Sequence, residues 1–454
     1  MTAKTRPETG SKTTISVTNA IASVPAADWD ACANPRRPES SSQLSAINNS
    51  KDSTNCPTDA PHPTESDGQP GRLVGEAPDS PAAGRGATES ESQQERFNPF
   101  ISHAFLKALE ESGCVSPRTG WAPAHILVHD AAGLLVAAAP AYAKSHSQGE
   151  YVFDHAWADA YERAGGDYYP KIQVSVPFTP ATGRRLLIRD GQDSTALSAA
   201  LIIGLRAVRD RVSASSIHAT FLPRDEWQVL GDAGFLQRID RQFHWTNAGY
   251  GTFEHFLEGL ASRKRKTIRR ERRDACADDI TIHWLTGRDI TEAHWDAFFA
   301  FYQDTGSRKW GRPYLNRRFF SLIGEAMADR ILLVMAKRAG CFIAGAINFI
   351  GDDALYGRNW GAIEDHPFLH FEVCYYQAID FAIARGLQRV EAGAQGEHKL
   401  ARGYRPVLTY SAHDIADRAL RRAVAAYLEQ ERPSVAEEAR ELDQFTPFRH
   451  PDVD

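Results

Sequence analysis

The chain has no Cys-x-x-Cys pair and no histidine–cysteine grouping at zinc spacing, so nothing in it argues for a structural metal. Its six cysteines (Cys32, Cys56, Cys114, Cys276, Cys341 and Cys374) are scattered, as expected of reduced thiols in a cytosol. The N-terminus lacks the apolar core of a secretion signal. No apolar run approaches the roughly 20 residues that a membrane helix needs. Together these absences set a soluble, cytoplasmic protein with no membrane span as the expectation. A net charge of −6 is too mild to name a partner. What the chain does have is length: 454 residues, 42% of them hydrophobic, suffice for two domains with real cores.

Apolar content is unevenly spread. Residues 1–13 read as a disordered N-terminus, and residues 14–33 as a strand followed by a helix. Residues 34–96 are Ser, Pro, Asp, Glu, Gly and Thr with almost no large apolar side chains, so burial cannot offset their chain entropy. The composition predicts a disordered insertion there. Folding resumes with a helix whose Phe105, Leu106 and Leu109 share one face and which Gly113 stops. Strands are expected over 124–129, 134–143, 172–176, 216–221 and 236–245, with helices over 194–212 and 224–233. Alternating strands and helices mean an α/β fold with mixed sheets, not a β-sandwich.

The second half repeats that plan. A basic helix over 262–275 leads to a strand over 280–285 and then Thr291-Glu-Ala-His-Trp-Asp-Ala297, which echoes Ala26-Ala-Asp-Trp-Asp-Ala31. Residues 315–325 echo 98–110, and the hairpin pattern from Arg330 echoes that from His125. Each echo alone is cheap, but four in the same order indicate a duplicated unit. The expected division is 97–247 for a first domain, joined by 14–33, and 248–430 for a second domain holding the main site. Residues 431–454 are left as a C-terminal helix and tail.

Residues 355–404 organise the rest. Phe371, Cys374, Ala378, Ile379, Ala382 and Ile383 recur at helical spacing, with Asp365 placed to cap the start and Pro367 in the first turn. A short strand over 388–391 follows, then a loop holding Gly393, Gly396, Glu397, His398 and Lys399. Strand, helix, strand and a glycine-rich polar loop form a βαβ unit, whose loop lies where open α/β sheets bind ligands.

Several segments carry a family resemblance. They are Ser262-Arg-Lys-Arg-Lys-Thr-Ile-Arg-Arg-Glu-Arg-Arg, Ala344-Gly-Ala-Ile-Asn, Pro367 before the helix, Arg385-Gly-Leu, and Glu391-Ala-Gly-Ala-Gln-Gly-Glu-His-Lys-Leu-Ala-Arg-Gly-Tyr. They resemble the GNAT-superfamily N-acyltransferases of the FemAB-like branch, and the whole chain resembles the bacterial peptidoglycan biosynthesis or recognition family. The resemblance implies a tandem GNAT-like fold of two similar domains. It also implies transfer of an acyl or aminoacyl group to an amine acceptor, such as a small molecule, a peptide or a cell-wall precursor. The donor stays open between an acyl-CoA thioester and an aminoacyl-tRNA, because the Arg/Gln-x-x-Gly-x-Gly/Ala pyrophosphate loop is missing. A tightly bound cofactor is not implied. The rival is a GNAT-fold binding protein that recognises a peptidoglycan-type ligand without turnover.

Acyl transfer to an amine needs a proton acceptor, donors for the oxyanion, and cations for the donor's phosphates. The resemblance gives Lys399 the phosphate role, with the amides around Gly393 and Gly396 beside it and Tyr404 closing the motif; the alternative is a solvated loop lysine. Glu391 at a strand end and His398 are the candidate bases, against an ion-paired glutamate and a backbone-bonded histidine. Tyr356, Arg358 and Trp360 alternate along one strand and read as a cleft floor. Glu372, one turn into the helix, faces either the cleft or the helix dipole. Trp310 sits in a basic aromatic loop that fits either a substrate lid or a surface connector. The basic helix, with eight Lys or Arg from Arg263 to Arg273, suits tRNA phosphates, though solvation with inter-domain pairing is the blander and favoured reading.

Overall fold

The computed structural model describes residues 13–35, 97–309, 313–393 and 396–449. The expected N-terminal disorder, all but the margins of the expected insertion, and Trp310 lie outside the described residues.

The first half runs β1 (Thr14–Thr18), α1 (Ala26–Ala33), α2 (His103–Glu111), β2 (Trp121–Pro123), β3 (His125–His129), β4 (Leu135–Ala139) and β5 (Ala141–Lys144). It continues with α3 (His155–Arg163), β6 (Lys171–Val174), β7 (Leu187–Ile188), α4 (Ser194–Arg211), β8 (Ser216–Leu222), α5 (Arg224–Asp232) and β9 (Leu236–Thr246). The hairpin predicted over 124–143 is thus cut into β4 and β5. Pro140 has no N–H to give the ladder, and the chain there passes from one sheet to another.

The second half runs α6 (Phe253–Glu258), α7 (Ser262–Ala275), β10 (Thr281–Thr286), α8 (Glu292–Lys309), α9 (Arg317–Met327), β11 (Ile331–Arg338), β12 (Cys341–Ile350) and β13 (Ala354–Ala362). Then come α10 (Leu369–Phe371), a π turn (Glu372–Tyr376), α11 (Gln377–Ala384), β14 (Arg389–Glu391), a 3-10 turn (Glu397–Arg402), β15 (Arg405–Ile415) and α12 (Arg418–Asp443). The last helix begins at Arg418 rather than 431, capped by the Asp417 carboxylate on the Ala419 and Leu420 amides.

β1, β3, β4 and β7 form a small sheet, and the other strands form a large one in the order β10-β11-β12-β13-β14-β9-β15-β8-β6-β5-β2. The duplication is visible in the pairing. β13 and β14 are parallel, joined through α10 and α11, and β6 and β8 are parallel, joined through α4; every other neighbouring pair is antiparallel. Each half then borrows a strand. β9 of the first half pairs with β14, and β15 of the second inserts between β8 and β9. The echoing tryptophans behave alike: Trp29 on α1 and Trp295 on α8 are both essentially unexposed. The molecule is therefore mixed α/β with the two-unit plan that the resemblance implies, and the sheet runs unbroken across both halves. One core joins α2 to α9 on one sheet face, bringing together Phe105, Phe319, Phe349 and Tyr356; a second, on the other face, holds Val373, Ile379 and Leu355.

Candidate active site

β13 and β14 pair over only three positions, Ala354 with Arg389, Leu355 with Val390 and Tyr356 with Glu391, and then part. The crossover helix starts later than its pattern suggests. Asp365 does not cap it; Phe368, at φ 62°, is the residue before Leu369. After β14 the chain turns at Gly393 (φ 80°), a backbone region that favours glycine, and the 3-10 turn returns Lys399 to the Gly393 carbonyl just past the end of β14.

Glu391 ends β14 with a side chain 4% exposed. Its Oε1 accepts from Arg389 Nε at 3.0 Å, while Oε2 has no hydrogen bond among the described residues and lies 3.8 Å from His244 Nε2. His244 arrives from the first half, on β9, directly across from Glu391. Its Nε2 is 3.2 Å from Gln242 Oε1, and Gln242 in turn donates to the Pro180 carbonyl at 2.8 Å. Burial holds the imidazole below its usual pKa against the pull of Glu391.

Lys399 is 2% exposed, and its Nζ donates to the Gly393 carbonyl at 3.1 Å. Burial lowers its pKa to about 8. This sets a stability test. Between about 8 and 10.5 the unfolded chain holds a lysine proton that the folded one has released, so folding stability rises with pH across that window. Lys399→Met lacks the penalty. Its advantage over wild type, ~3 kcal/mol at most below pH 8, is expected to shrink toward pH 10. Urea unfolding at pH 7 and pH 10 measures the gap, and a gap that does not change refutes the buried ammonium.

The remaining expected residues divide between the sheet's two faces. Arg358 is the extra residue of a β-bulge: the ladder steps from Asn348–Gly357 to Ile347–Asn359. The slip defeats the expected alternation. Tyr356 packs in the core under α2 and α9, whereas Trp360 packs against the opposite core with its ring 4.9 Å from His370. His398 belongs to that second grouping, with Nε2 2.9 Å from the Tyr375 hydroxyl and its ring 6.0 Å from Phe371. Gly396 (φ 116°) sits under the His398 ring, where an added Cβ would come within 2.5 Å. Tyr404 is fully buried, edge-on to Tyr375, and its hydroxyl makes no hydrogen bond among the described residues.

Glu372 does not face a cleft. It is 0% exposed, and its carboxylate accepts from Arg272 at 3.0 Å and from Gln377 Nε2 at 2.6 Å. The π turn carrying it points inward because α7 supplies this guanidinium. The basic helix is thus split: Arg272 pairs inward, Glu271 accepts from Arg402 at 3.0 Å, and Arg263, Lys264, Lys266, Arg269, Arg270 and Arg273 remain exposed. The pairing lies within the second half rather than between halves. Among the described residues no cluster of three or more metal-ligating side chains occurs.

Two arrangements bring together partners that no local spacing pairs. Gln242 and His244 alternate with buried Phe243 and Trp245, and that alternation in a strand buried on both faces was the available signal. The other is an ionic network in the first half. Lys171 Nζ donates to Ser147 Oγ and Glu150 Oε2, both at 2.7 Å, and to Asp154. The Tyr168 hydroxyl donates to Asp154 at 2.8 Å, and the Nδ1 atoms of His218 and His413 are 2.7 Å apart. Trp157 packs on both histidines, while His155 is exposed against Phe153. Elsewhere, a cavity of about 750 Å³ lies between α4 and α5 and contains none of the expected site residues. Its arginines are committed: Arg184 to the Cys32 and Ala33 carbonyls, Arg189 to Leu135 and Asp28, Arg206 to Asp414. Size alone does not make it the reaction site.

Residues 87–450 match the FemAB-like family, described as peptidoglycan biosynthesis/recognition. The chain belongs to that family. No curated protein is significantly similar to it. Among solved structures, FemX is 13% identical, with 70% of this chain and 94% of that one covered and a TM-score of 0.46. L-PGS from Bacillus licheniformis is 9% identical, with 79% and 100% covered and a TM-score of 0.44. A tandem GNAT protein from the clavulanic acid biosynthesis pathway is 11% identical, with 69% and 88% covered and a TM-score of 0.38. In this FemAB-like chain no described helix is long and apolar enough to cross a membrane.

Proposed function

We propose that this FemAB-like protein is an N-acyltransferase that passes an acyl or aminoacyl group from a thioester or an aminoacyl-tRNA to an amine, with a cell-wall precursor as one candidate acceptor. The reaction is assigned to the gap where β13 and β14 part. The observation that carries the reading is Lys399: a buried ammonium whose hydrogen bond goes to one carbonyl at that gap. An ammonium held there has donor capacity left for a phosphate or a developing oxyanion. Glu391, with one carboxylate oxygen unbonded and His244 next to it, is the group proposed to take the amine's proton. His398, Trp360 and Tyr404 are assigned to the wall on the other side of the sheet. The loop glycines shape the gap rather than react.

The test is transfer or donor hydrolysis by the full chain, offered acyl-CoA thioesters and aminoacyl-tRNA with amine acceptors. Wild type is expected to turn over one donor class, and Lys399→Ala to lose at least tenfold in kcat/KM, about one charge-assisted hydrogen bond. Equal activity in Lys399→Ala places the donor elsewhere. Ligand binding without turnover in wild type favours the recognition protein instead.

A further inference from the structure

Arg358 poses a problem that the proposed reaction does not answer. The bulge turns its side chain and that of Asn359 toward one small cavity of about 10 Å³, roughly the room of one water. The guanidinium donates to the Phe178 carbonyl and lies beside the Tyr151 hydroxyl, with the Phe100 ring at 6.0 Å. Among the described residues it forms no ion pair with a carboxylate, and the Asn359 amide makes no hydrogen bond. Arg358 is partly rather than fully buried, and the desolvation it undergoes with no carboxylate beside it pulls its pKa down. Both of its partners are also strained: Tyr151 has φ 61° and Phe178 φ 58°, a region bulky residues rarely occupy. A fold does not spend a bulge, two strained aromatics and an unpaired cation at one point without return.

The surroundings say what would compensate. Arg358, Asn359 and Thr179 make one polar end of the cavity, and Phe105, Phe319 and Phe349 lie on its apolar side. Phe178 forms a wall, stacked 4.9 Å from Tyr314, which is 40% exposed and so stands at the outer side. The Phe178 ring also rests on Gly149, where a Cβ would come within 2.6 Å. The wall is therefore bordered by the part-exposed Tyr314 and backed by the Gly149 backbone. We propose that this seam between the two halves seats an oxyanion, a carboxylate or phosphate, carried on an apolar body, with Arg358 gripping the head group and Asn359 completing its hydrogen bonds. A planar guanidinium is suited to a two-oxygen grip. The body would enter by displacing the Phe178–Tyr314 stack.

The seat is independent of the Lys399 reading, and Lys399→Ala is expected to retain it. The test is thermal unfolding of the full chain with hexanoate, hexyl phosphate and hexanol. One of the two anions is expected to raise the Tm in a dose-dependent way, identifying the head group, while hexanol does not. Arg358→Met is expected to lose the anion response, because the fork that grips the head group has gone. Arg358→Lys keeps the charge without the fork and should bind on the order of tenfold more weakly. An anion response that survives in Arg358→Met, a hexanol shift equal to that of the anions, or no shift with either anion overturns the proposal. If Arg358→Met does not fold, Asn359→Ala decides: a weakened anion response supports the seat and an unchanged one overturns it.

Discussion

Lys171→Met is expected to destabilise the protein by about 3–5 kcal/mol, the usual result of breaking a buried ionic group from one side. Lys171, Glu150 and Asp154 have side chains no more than 2% exposed, so water cannot replace the ammonium once it is removed. At present it holds Asp154 well below the usual carboxylate range, with burial acting in the opposite direction. Burial, with the Asp154 carboxylate close by, has already pushed Glu150 up to about 7 despite Lys171 and the Lys144 ammonium 3.8 Å away. Without Lys171, both acids would have folded pKa values above their unfolded ones. Such groups destabilise increasingly as pH rises, so the deficit of Lys171→Met should be larger at pH 8 than at pH 5. Urea unfolding of Lys171→Met and of Lys171→Met/Asp154→Asn at both pH values separates charge from packing. Removing one of the orphaned acids should recover at least ~1 kcal/mol at pH 8. A double variant no better than the single one would mean that the lysine stem, not its charge, matters there.

That network shows where reading residues in order stops. Helices and strands with strong periodicity came through within a residue or two: 194–212 against Ser194–Arg211, 236–245 against Leu236–Thr246 and 388–391 against Arg389–Glu391. Local pattern decides such elements because their apolar faces are regular. Partnerships across the fold are a different matter. Lys171 with Asp154 joins a strand to the residue before a helix, and His244 with Glu391 joins strands almost 150 residues apart. No local spacing marks either pair. The bulge at Arg358 is a third case. Alternation over Tyr356, Arg358 and Trp360 is real in the sequence, but one extra residue in the ladder reverses every face after it. The strand exchange of β9 and β15 was equally hidden, since composition does not reveal which neighbour a buried strand selects. The duplicated order of elements was legible because it needs only the sequence of types, not their contacts.

Glu391→Gln is expected to slow transfer by about 10²–10⁴-fold, the range of a lost general base, while changing donor KM little. The substitution preserves shape: an amide oxygen still accepts from Arg389 Nε, now 3.0 Å from Oε1. What it removes is the charge and the basic lone pair on Oε2, the oxygen that has no hydrogen bond among the described residues and stands 3.8 Å from His244. If Glu391 served only to neutralise Arg389, that guanidinium would still have Asp353. Stability would then change modestly and kcat would be untouched. If it is the base, kcat falls while the fold holds, and His244→Asn gives a smaller loss because the imidazole only positions the carboxylate. The two roles therefore predict opposite patterns in one experiment: kcat, KM and urea midpoint for Glu391→Gln beside His244→Asn. A Glu391→Gln enzyme within about threefold of wild-type kcat, less than the loss of a single catalytic hydrogen bond, would leave the proton to another group at the gap. Lys399 is then the candidate, since burial already brings its pKa down to about 8.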